Sequence, residues 1–466
     1  MLKKTMAVMI SAFLICSLAA CTSNNTSGSS SASTASSQTS VSSKDAASTV
    51  STAESTADSS KNTEQSSQST ENSQSSQSSK ADESSDSTSS SKVIIESVSN
   101  SKIDTSDIFS ERDLKQTADT SDAKTIQASD NKTETITEEG VYIITGSASN
   151  FTVKVEADNK AKVQLVLDGL TVTNDSFPVI YVVSADKCFI TTTDSTSTLS
   201  VTGTFTSDGD TNTDAVIFSK DDIVLNGTGT LVISSSENGI SCKDDIKITG
   251  GTYNITTAKD SIEAKDSISV YAGNFEINSS KDAFNSGNDD DDTVGQIYIK
   301  DGTFNIKASS DAVQATTIVQ IDGGTFSITT SEGIEGTYVQ INGGTINITA
   351  SDDGINASQK SKSLGTPTVE FNGGYTTIVM GQGDTDGVDA NGNIIVNGGT
   401  IDVTAQMSSF DYDGTAQFNG GTIIINGTQV DSIPQSMMGG GRGGMGGMGG
   451  MGGMGGMGRP GEMAQF

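Results

Sequence analysis

Short stretches in which apolar and polar residues alternate run through the chain from about residue 133 to residue 430. Typical examples are Thr303–Ile306 and Thr325–Ile328, each directly after a glycine. Alternation with a period of two places successive side chains on opposite faces of a strand, whereas an amphipathic helix has a period of 3.6. The pattern therefore predicts a protein built from short β-strands.

These stretches recur at a nearly constant interval. Successive marker glycines are 22, 22, 29, 22, 20, 30, 25 and 22 residues apart; they are Gly229, Gly251, Gly273, Gly302, Gly324, Gly344, Gly374, Gly399 and Gly421. A unit of this length cannot bury a hydrophobic face alone, so the units must stack. The repeat predicts an all-β fold, a right-handed parallel β-helix with about 22 residues per coil.

Alignment of the units predicts the interior of the helix. One inward column contains Tyr253, Phe275, Phe304, Phe326, Ile346, Ile401 and Ile423, and the column two residues further on contains Ile255, Ile277, Ile306, Ile328, Ile348, Ile378, Val403 and Ile425. A third column holds small residues, namely Cys242, Ala264, Ser286, Ala315, Gly336, Ala357 and Ala390. Because the aromatic side chains fall on inward positions, we expect them to form core and not a platform for sugar rings.

The N-terminus predicts export. Lys3 and Lys4 precede an apolar run from Met6 to Leu18, which is too short to span a bilayer and is typical of a signal peptide. The run ends in Leu-Ala-Ala-Cys, which looks like a bacterial lipobox with Cys21 as the lipidated residue; an ordinary secretory signal is the alternative. We therefore expect a cell-surface protein, lipid-anchored to the outer face of the cytoplasmic membrane.

Composition divides the chain into five segments. Residues 1–20 are the predicted lipoprotein signal peptide, and the Ser/Thr-rich residues 21–92 bury too little apolar surface to fold, which predicts a disordered tether. Residues 93–132 are a transition or N-cap segment, in which Ile108–Leu114 is predicted to form one short capping helix. The β-helix follows at 133–430, and 431–466 form a Gly/Met-rich tail, predicted to be disordered, whose methionines are alternatively soft ligands for copper(I).

Net charge and composition limit the partners and the kinds of site that this chain can have. The chain has 27 Lys+Arg, 58 Asp+Glu and no histidine, for a net charge of −31. This charge argues against nucleic acid as a partner, and the lack of imidazole excludes histidine-dependent triads and metal sites. Carboxylate and amide oxygens remain, which favour a hard cation and first of all calcium.

An acidic motif follows most marker glycines by nine residues, and its first and fourth positions form two columns at the corner of the coils. Like charges one coil apart repel by about 3.5 kcal/mol at an effective dielectric constant of 20, so the columns need compensation. A cation between coils would supply it, and a solvated acidic face is the alternative. The candidate calcium ligands are Asp260, Glu263, Asp282, Asn285, Asp311, Glu332, Glu335, Asp353, Asn356, Asp386 and Asp389, with Asp289 and Asp290 from an acidic insertion beside them.

Several strings give the chain a family resemblance. Residues 164–169, 215–223 and 238–251 and the repeated Asp-Gly-Ile and Gly-Gly-Thr units resemble a family of bacterial secreted β-helix proteins, the carbohydrate-binding domain-containing proteins. The resemblance implies a shape similar to pectate lyases, an association with calcium, and binding of glycans such as cellulose or polygalacturonate. The chain departs from the family at 260–263 and 282–285; at the position of Glu263 a basic residue is expected.

Three functions follow as hypotheses. The first is a monomeric, extracellular polysaccharide-binding protein with calcium between its coils, in which we expect no catalytic residue. The second is a calcium-dependent pectate-lyase-like enzyme, whose base would be one of Lys243, Lys259, Lys265 and Lys281, because no Arg lies between Arg112 and Arg442. A lysine among carboxylates has its charged form stabilised, which opposes that role. The third is a structural or adhesive surface stalk.

Overall fold

The structure is a computed structural model that describes residues 101–434 apart from 289 and 384. The predicted signal peptide, Cys21, the tether, Asp289 and most of the Gly/Met-rich tail lie outside the described residues. Within the described residues every regular element is a strand. This part of the chain includes no helix long and apolar enough to cross a membrane.

The strands are short and follow one another with turns between them. In chain order they are β1 (Lys124–Gln127), β2 (Lys132–Ile136), β3 (Gly140–Ser149), β4 (Phe151–Glu156), β5 (Lys162–Asn174), β6 (Ile180–Ser184), β7 (Lys187–Thr192), β8 (Thr196–Val201), β9 (Ala215–Ser219), β10 (Ile223–Gly227), β11 (Thr230–Ser235), β12 (Asn238–Cys242), β13 (Asp245–Ile248), β14 (Thr252–Thr257), β15 (Ile262–Ala264), β16 (Ser267–Val270), β17 (Asn274–Ser279), β18 (Phe284–Ser286), β19 (Gln296–Ile299), β20 (Thr303–Ala308), β21 (Asp311–Ala315), β22 (Ile318–Ile321), β23 (Thr325–Thr330), β24 (Glu332–Gly336), β25 (Tyr338–Ile341), β26 (Thr345–Ala350), β27 (Asp353–Ala357), β28 (Thr368–Phe371), β29 (Tyr375–Met380), β30 (Asp386–Ala390), β31 (Asn393–Val396), β32 (Thr400–Thr404), β33 (Ser408–Tyr412), β34 (Ala416–Phe418), β35 (Thr422–Ile425) and β36 (Thr428–Val430).

Three parallel ladders of strands make up the fold. The first ladder begins β1-β3-β5-β7-β10-β13 and ends at β34, the second begins β5-β8-β11-β14 and ends at β35, and the third begins β2-β4-β6-β9-β12 and ends at β33. Most coils contribute one strand to each ladder, and the final pair, β35 with β36, is antiparallel. The predicted parallel β-helix is confirmed, and its first strand begins at Lys124, before the predicted boundary at 133.

The interior matches the predicted columns. The rings of Tyr253, Phe275, Phe304 and Phe326 are buried and stack face to face along the axis, with centroid distances of 5.2, 4.8 and 4.3 Å. The isoleucine column beside them is buried from Ile255 to Ile378. These aromatic side chains therefore form core, as predicted.

Asparagines stack at one corner of the coils. The side-chain amide of Asn372 donates to Asn342 Oδ1 at 2.8 Å, Asn397 donates to Asn372, and Asn419 donates to Asn397 at the same distance. Two residues later a glycine takes a left-handed φ, for example 80° at Gly399, which an L side chain rarely adopts. The corner asparagines are therefore structural.

Residues 101–118, named here the strap, lie across the outer face of the first ladder. The backbone N–H of Ile103 donates to Gln320 Oε1 at 2.7 Å, Phe109 packs against the rings of Tyr271 and Tyr298, and Gln116 donates to the carbonyl of Thr249. The strap thus runs from the coil of β22 back towards the N-terminal coils, covering outward side chains that would otherwise face water.

The predicted helix at Ile108–Leu114 is wrong, because the chain makes turns there. One turn closes with Leu114 N–H donating to the carbonyl of Ser110 at 3.3 Å. The carbonyl of Asp113, which a continuing helix would use, instead accepts hydrogen bonds from Thr249 Oγ1 and Asn226 Nδ2. Contacts with the sheet therefore replace the helical hydrogen bonds.

Removal of the Phe109 ring should loosen the strap. Because the side chain is buried between two tyrosine rings, we expect Phe109→Ala to lower the free energy of unfolding by about 3 kcal/mol. Urea denaturation measures the loss, and limited proteolysis should cut within 101–118 at protease levels that spare the wild type. The exposed neighbour Thr117→Ala is the control; equal stability of the two variants would show that the strap contributes nothing.

Candidate functional site

The outer face of the third ladder presents the second column of the acidic motif. Strand pairing places these residues side by side in successive coils: Ser241, Glu263, Asn285, Gln314, Glu335, Asn356 and Asp389. The pairing is direct, so each side chain has the equivalent residue of the next coil as its neighbour. The face is therefore a row of carboxylates and amides along the helix axis.

The first column of acids lies inside the corner. Asp260, Asp282 and Asp311 expose only 4%, 2% and 4% of their surface. The backbone N–H of Asp282 donates to Asp260 Oδ1, and that of Asp311 donates to Asp282 Oδ1, both at 3.1 Å. Lys281 Nζ lies 2.8 Å from Asp260 Oδ2 and 3.3 Å from Asp282 Oδ2. A solvated acidic face is thus wrong for these residues; backbone N–H groups and one lysine offset their repulsion.

The hydrogen-bond pattern of the first column changes at Glu332, in the shortest coil. Its backbone N–H donates to the carbonyl of Ser310. Here one carboxylate oxygen each of Asp311, Glu332 and Glu335 lie within 4.8 Å of one another. Gln314 Nε2 donates to both Asp311 and Glu335, at 2.7 and 3.0 Å. The predicted columns therefore converge on one compact acidic cluster, which we call the 311 cluster.

Proximity and burial oppose ionisation in the 311 cluster. Burial, with the charges of Asp282, Glu332 and Glu335, raises the pKa of Asp311 to about 8. Burial and the charge of Glu335 also raise the pKa of Glu332. Lys360, whose Nζ lies 2.7 Å from Glu335 Oε2, supplies one positive charge. The cluster thus favours either a proton or a cation at neutral pH.

A second group of predicted ligands follows in the next two coils, on β27 and β30. The backbone N–H of Asp386 donates to Asp353 Oδ1 at 3.3 Å, and Asp389 pairs with Asn356 in the outer column. Burial and the charge of Asp389 raise the pKa of Asp353 to about 7, and burial with Asp386 and Asp411 raises that of Asp389 to about 7. These carboxylates also retain protons at unusually high pH.

A cleft of about 560 Å³ opens on the third ladder above these columns. Its lining combines three lysines with two carboxylates and several amide and hydroxyl groups: Glu263, Lys265, Lys281, Asn285, Gly287, Asn288, Asp292, Gln314, Thr316 and Lys360. We call it the lysine cleft. Glu263 is held at its edge by hydrogen bonds from Ser241 Oγ at 2.9 Å and Asn238 Nδ2 at 3.2 Å.

Two insertions in the repeat flank the lysine cleft. Asp292, from the insertion after β18, accepts hydrogen bonds from the backbone N–H of Lys362 and the hydroxyl of Ser363, at 2.9 and 2.7 Å. Both belong to the insertion after β27, which is anchored where Ser361 N–H donates to Thr337 Oγ1 at 2.8 Å. Loops about 70 residues apart in sequence are thereby joined beside the cleft.

Whereas Asp292 bonds to the other insertion, Asp290 and Asp291 form hydrogen bonds within the acidic insertion itself. Asp291 accepts hydrogen bonds from the N–H and hydroxyl of Thr293, and Asp290 N–H donates to Asn288 Oδ1 at 3.1 Å. Of this insertion, Asn288 and Asp292 line the cleft. The carboxylates of Asp291 and Asp292 thus stabilise the loop, and the compact acidic cluster lies on the strands and not in the insertion.

A family model of the carbohydrate-binding domain-containing protein matches residues 130–385 and 334–432. Together these matches cover the described β-helix almost completely. The chain belongs to this family.

Two known proteins are similar to this family member. A carbohydrate-binding domain-containing protein of Acetivibrio thermocellus is 33% identical over 120 residues, and the match spans 25% of this chain and 42% of the relative. The solved structure of a polysaccharide lyase-like protein from C. thermocellum, a gadolinium derivative, aligns with 47% of this chain and 92% of its own, with 25% identity and a TM-score of 0.41.

The pKa values of Lys281 and Lys259 indicate whether these lysines can act as a catalytic base. Although burial lowers the pKa of Lys281, its hydrogen bond to Asp260 and the charges of Asp260 and Asp282 raise it overall. The hydrogen bond to Glu237 likewise raises the pKa of Lys259. Both side chains therefore stay protonated at neutral pH, which suits binding of an anion and opposes proton abstraction.

Sequence analysis missed one acidic group. Carboxylate oxygens of Asp222, Asp244 and Asp245 lie within 4.8 Å of one another, beside the first ladder. Burial, with the charges of Asp222, Asp245 and other acids, raises the pKa of Asp244 to about 6. The signal was present in the Lys-Asp-Asp-Ile string, which occurs at 220–223 and again at 243–246, in successive coils.

Proposed function

We propose that this protein is an extracellular polysaccharide-binding protein and that the lysine cleft receives an acidic glycan of the polygalacturonate type. The cleft combines lysines, which attract uronate carboxylates, with amides and hydroxyls that hydrogen-bond sugar hydroxyls. Its lining contains three lysines and two carboxylates in a chain whose net charge is −31, and two of the lysines, Lys281 and Lys360, also pair with acids behind the lining. This concentration of lysines is the observation that supports the proposal.

Calcium is proposed at the 311 cluster. Calcium prefers six to eight oxygen ligands, and Asp311, Glu332 and Glu335 offer carboxylates within reach of one another. Asn356, in the next coil, donates its amide to Glu332 at 3.3 Å, and its Oδ1 is buried without a hydrogen-bond partner. The donor set therefore fits the ion, which would supply positive charge that lets these acids ionise.

Display at the cell surface completes the proposal. The lipobox-like sequence ending at Cys21 supports a lipid anchor, and the polar stretch that follows supports a tether between membrane and β-helix. Binding without cleavage is supported by Lys281, which lines the cleft and whose raised pKa keeps it protonated. Incubation with polygalacturonate should accordingly produce no absorbance from unsaturated products; their appearance would favour the lyase.

Affinity electrophoresis in gels with and without polygalacturonate tests the binding proposal. We expect the protein to be retarded by the polymer in calcium and less retarded in chelator. Retardation that chelator leaves unchanged would remove calcium from binding. If neither polygalacturonate nor any polysaccharide of a glycan array retains the protein in calcium, the surface stalk is the better hypothesis.

Reversal of one cleft charge should weaken binding. Lys265 lines the cleft, so Lys265→Glu replaces attraction by repulsion and should weaken polygalacturonate binding at least about tenfold. The control is Lys307→Glu, the same change of net charge at an exposed position of β20 in the second ladder. Equal loss in both variants would mean that overall charge, and not the lysine cleft, governs binding.

A further inference from the structure

A second cleft, of about 350 Å³, lies at the N-terminal coils. It is lined by Asn131, Thr133, Asn150, Thr152, Asn174, Asp175, Ser176 and Phe177. Thr133 and Thr152 are paired in β2 and β4, so this cleft also lies along the third ladder. About five coils, or roughly 24 Å at the usual strand spacing, separate β4 from β18 in the lysine cleft.

Phe177 distinguishes this cleft from the rest of the surface. Most phenylalanines of the β-helix are buried in the core, whereas Phe177 is half-buried and borders a polar cleft. Its ring makes a T-shaped contact with Tyr181 at a centroid distance of 5.6 Å, and Tyr181 in turn packs on Phe218 and donates to Asp208 Oδ2 at 3.0 Å. The Phe177 ring is therefore packed against a fixed aromatic pair.

The polar groups around Phe177 are fixed as well. Asn150 Nδ2 donates to Asp175 Oδ2 at 3.0 Å, and the N–H of Asp175 donates back to Asn150 Oδ1 at 2.8 Å. The carbonyls of Asp175 and Ser176 accept N–H groups from Gly203 and Thr206 of a neighbouring loop, both at 2.8 Å. Rigid groups lose little entropy when a ligand binds.

These groups match the chemistry of a neutral sugar. A pyranose ring has faces of C–H groups and a rim of hydroxyls, so a flat aromatic ring beside amides and a carboxylate suits it. The lining residues include no cation, in contrast to the lysine cleft, and Asp175 would repel a uronate. A neutral glycan is therefore favoured here, and no divalent ion is needed.

We propose that the cleft beside Phe177 is a second saccharide-binding site, specific for neutral, hydroxyl-rich glycans and independent of calcium, with Phe177 as the stacking residue. It shares with the proposed function only the premise that the protein binds glycans. The lysine cleft and this site would give one β-helix separate contacts for acidic and neutral chains.

Affinity electrophoresis of the full chain in hydroxyethyl cellulose, with chelator throughout, tests the site. We expect the wild type to be retarded, and Phe177→Ala to bind about 30-fold more weakly, the usual loss for a dominant aromatic contact. Phe177→Leu keeps an apolar cover over Tyr181 but lacks the flat ring, so it should also lose binding while its melting temperature stays near that of the wild type. The control is Tyr375→Ala, which removes an exposed aromatic ring from the second ladder.

Polygalacturonate binding in calcium is measured on the same variants and should not change. Loss of neutral-glycan binding in Phe177→Ala and Phe177→Leu, but not in Tyr375→Ala, would support the site. The proposal fails if the wild type is not retarded by the neutral polymer, or if the Phe177 variants bind it no more weakly than Tyr375→Ala does. Either failure leaves the polygalacturonate result standing, so the two proposals are judged separately.

Discussion

In chelator, the protein should lose several kcal/mol of unfolding free energy as the pH rises from about 4 to about 8, and calcium should restore part of the loss. The pKa of Asp311 is raised by burial and neighbouring acids to about 8, and those of Asp353 and Asp389 are raised to about 7. An acid whose pKa is higher in the folded state binds protons more tightly there. Its contribution to stability is therefore complete below the unfolded-state pKa near 4 and is lost as the pH passes the folded-state value.

The size of this effect follows from linkage. Each unit by which folding raises a pKa lowers the free energy of unfolding by about 1.4 kcal/mol once the pH has passed the folded-state pKa. The summed effect of three such acids is therefore large even where solvent screens part of it. Calcium at the proposed site would bind the ionised carboxylates of the folded state and should add about 2.7 kcal/mol at a hundred times its dissociation constant. Urea denaturation at pH 4, 6 and 8, in calcium and in chelator, measures both the pH-dependent loss of stability and the gain from calcium.

Asp311→Asn isolates the central acid. The amide cannot ionise, so this variant should be more stable than the wild type in chelator at pH 8, should lose that advantage at pH 4, and should respond less to calcium. Asp431→Asn, at an exposed position near the end of the helix, should follow the wild type. A wild-type stability that is flat between pH 4 and 8 in chelator would contradict the assignment of these buried acids.

Phe304→Ala should lower the free energy of unfolding by about 3–5 kcal/mol. Phe304 is fully buried, stacked between Phe275 at 4.8 Å and Phe326 at 4.3 Å, so truncation leaves a cavity between coils. Stacked coils cannot collapse into such a cavity without breaking the register of their hydrogen bonds. Urea denaturation or calorimetry measures the loss.

The matched control for Phe304→Ala is Tyr375→Ala. Tyr375 belongs to the same ladder but faces outward and is 44% exposed, so its loss should cost less than about 0.5 kcal/mol. Phe304→Leu should lie between the two because it fills part of the cavity. Similar losses in Phe304→Ala and Tyr375→Ala would show that the aromatic stack does not stabilise the coils.

The local pattern predicted the ladders well because residues one repeat apart in the sequence become neighbours in adjacent coils of a parallel β-helix. Asp260, Asp282 and Asp311 are aligned by the same spacing that aligns the isoleucines, so both columns could be read from one repeat. What that spacing does not contain is the direction in which a corner side chain turns. The burial of these acids, and their bonds to the N–H groups of the next coil, depend on backbone angles at the corner.

The strap and the clefts lie beyond the reach of the pattern. Ile103 bonds to Gln320 and Asp292 to Lys362, contacts between residues 217 and 70 positions apart that no period connects. Phe177 likewise lies at an irregular corner, where its residue type does not indicate that the side chain is partly exposed. The sequence by itself determined the coil length, the strand register and the core columns, because alternation and spacing are local properties. Only the tertiary structure decided which acids are buried and where the clefts open, because these depend on how insertions and the strap pack against distant coils.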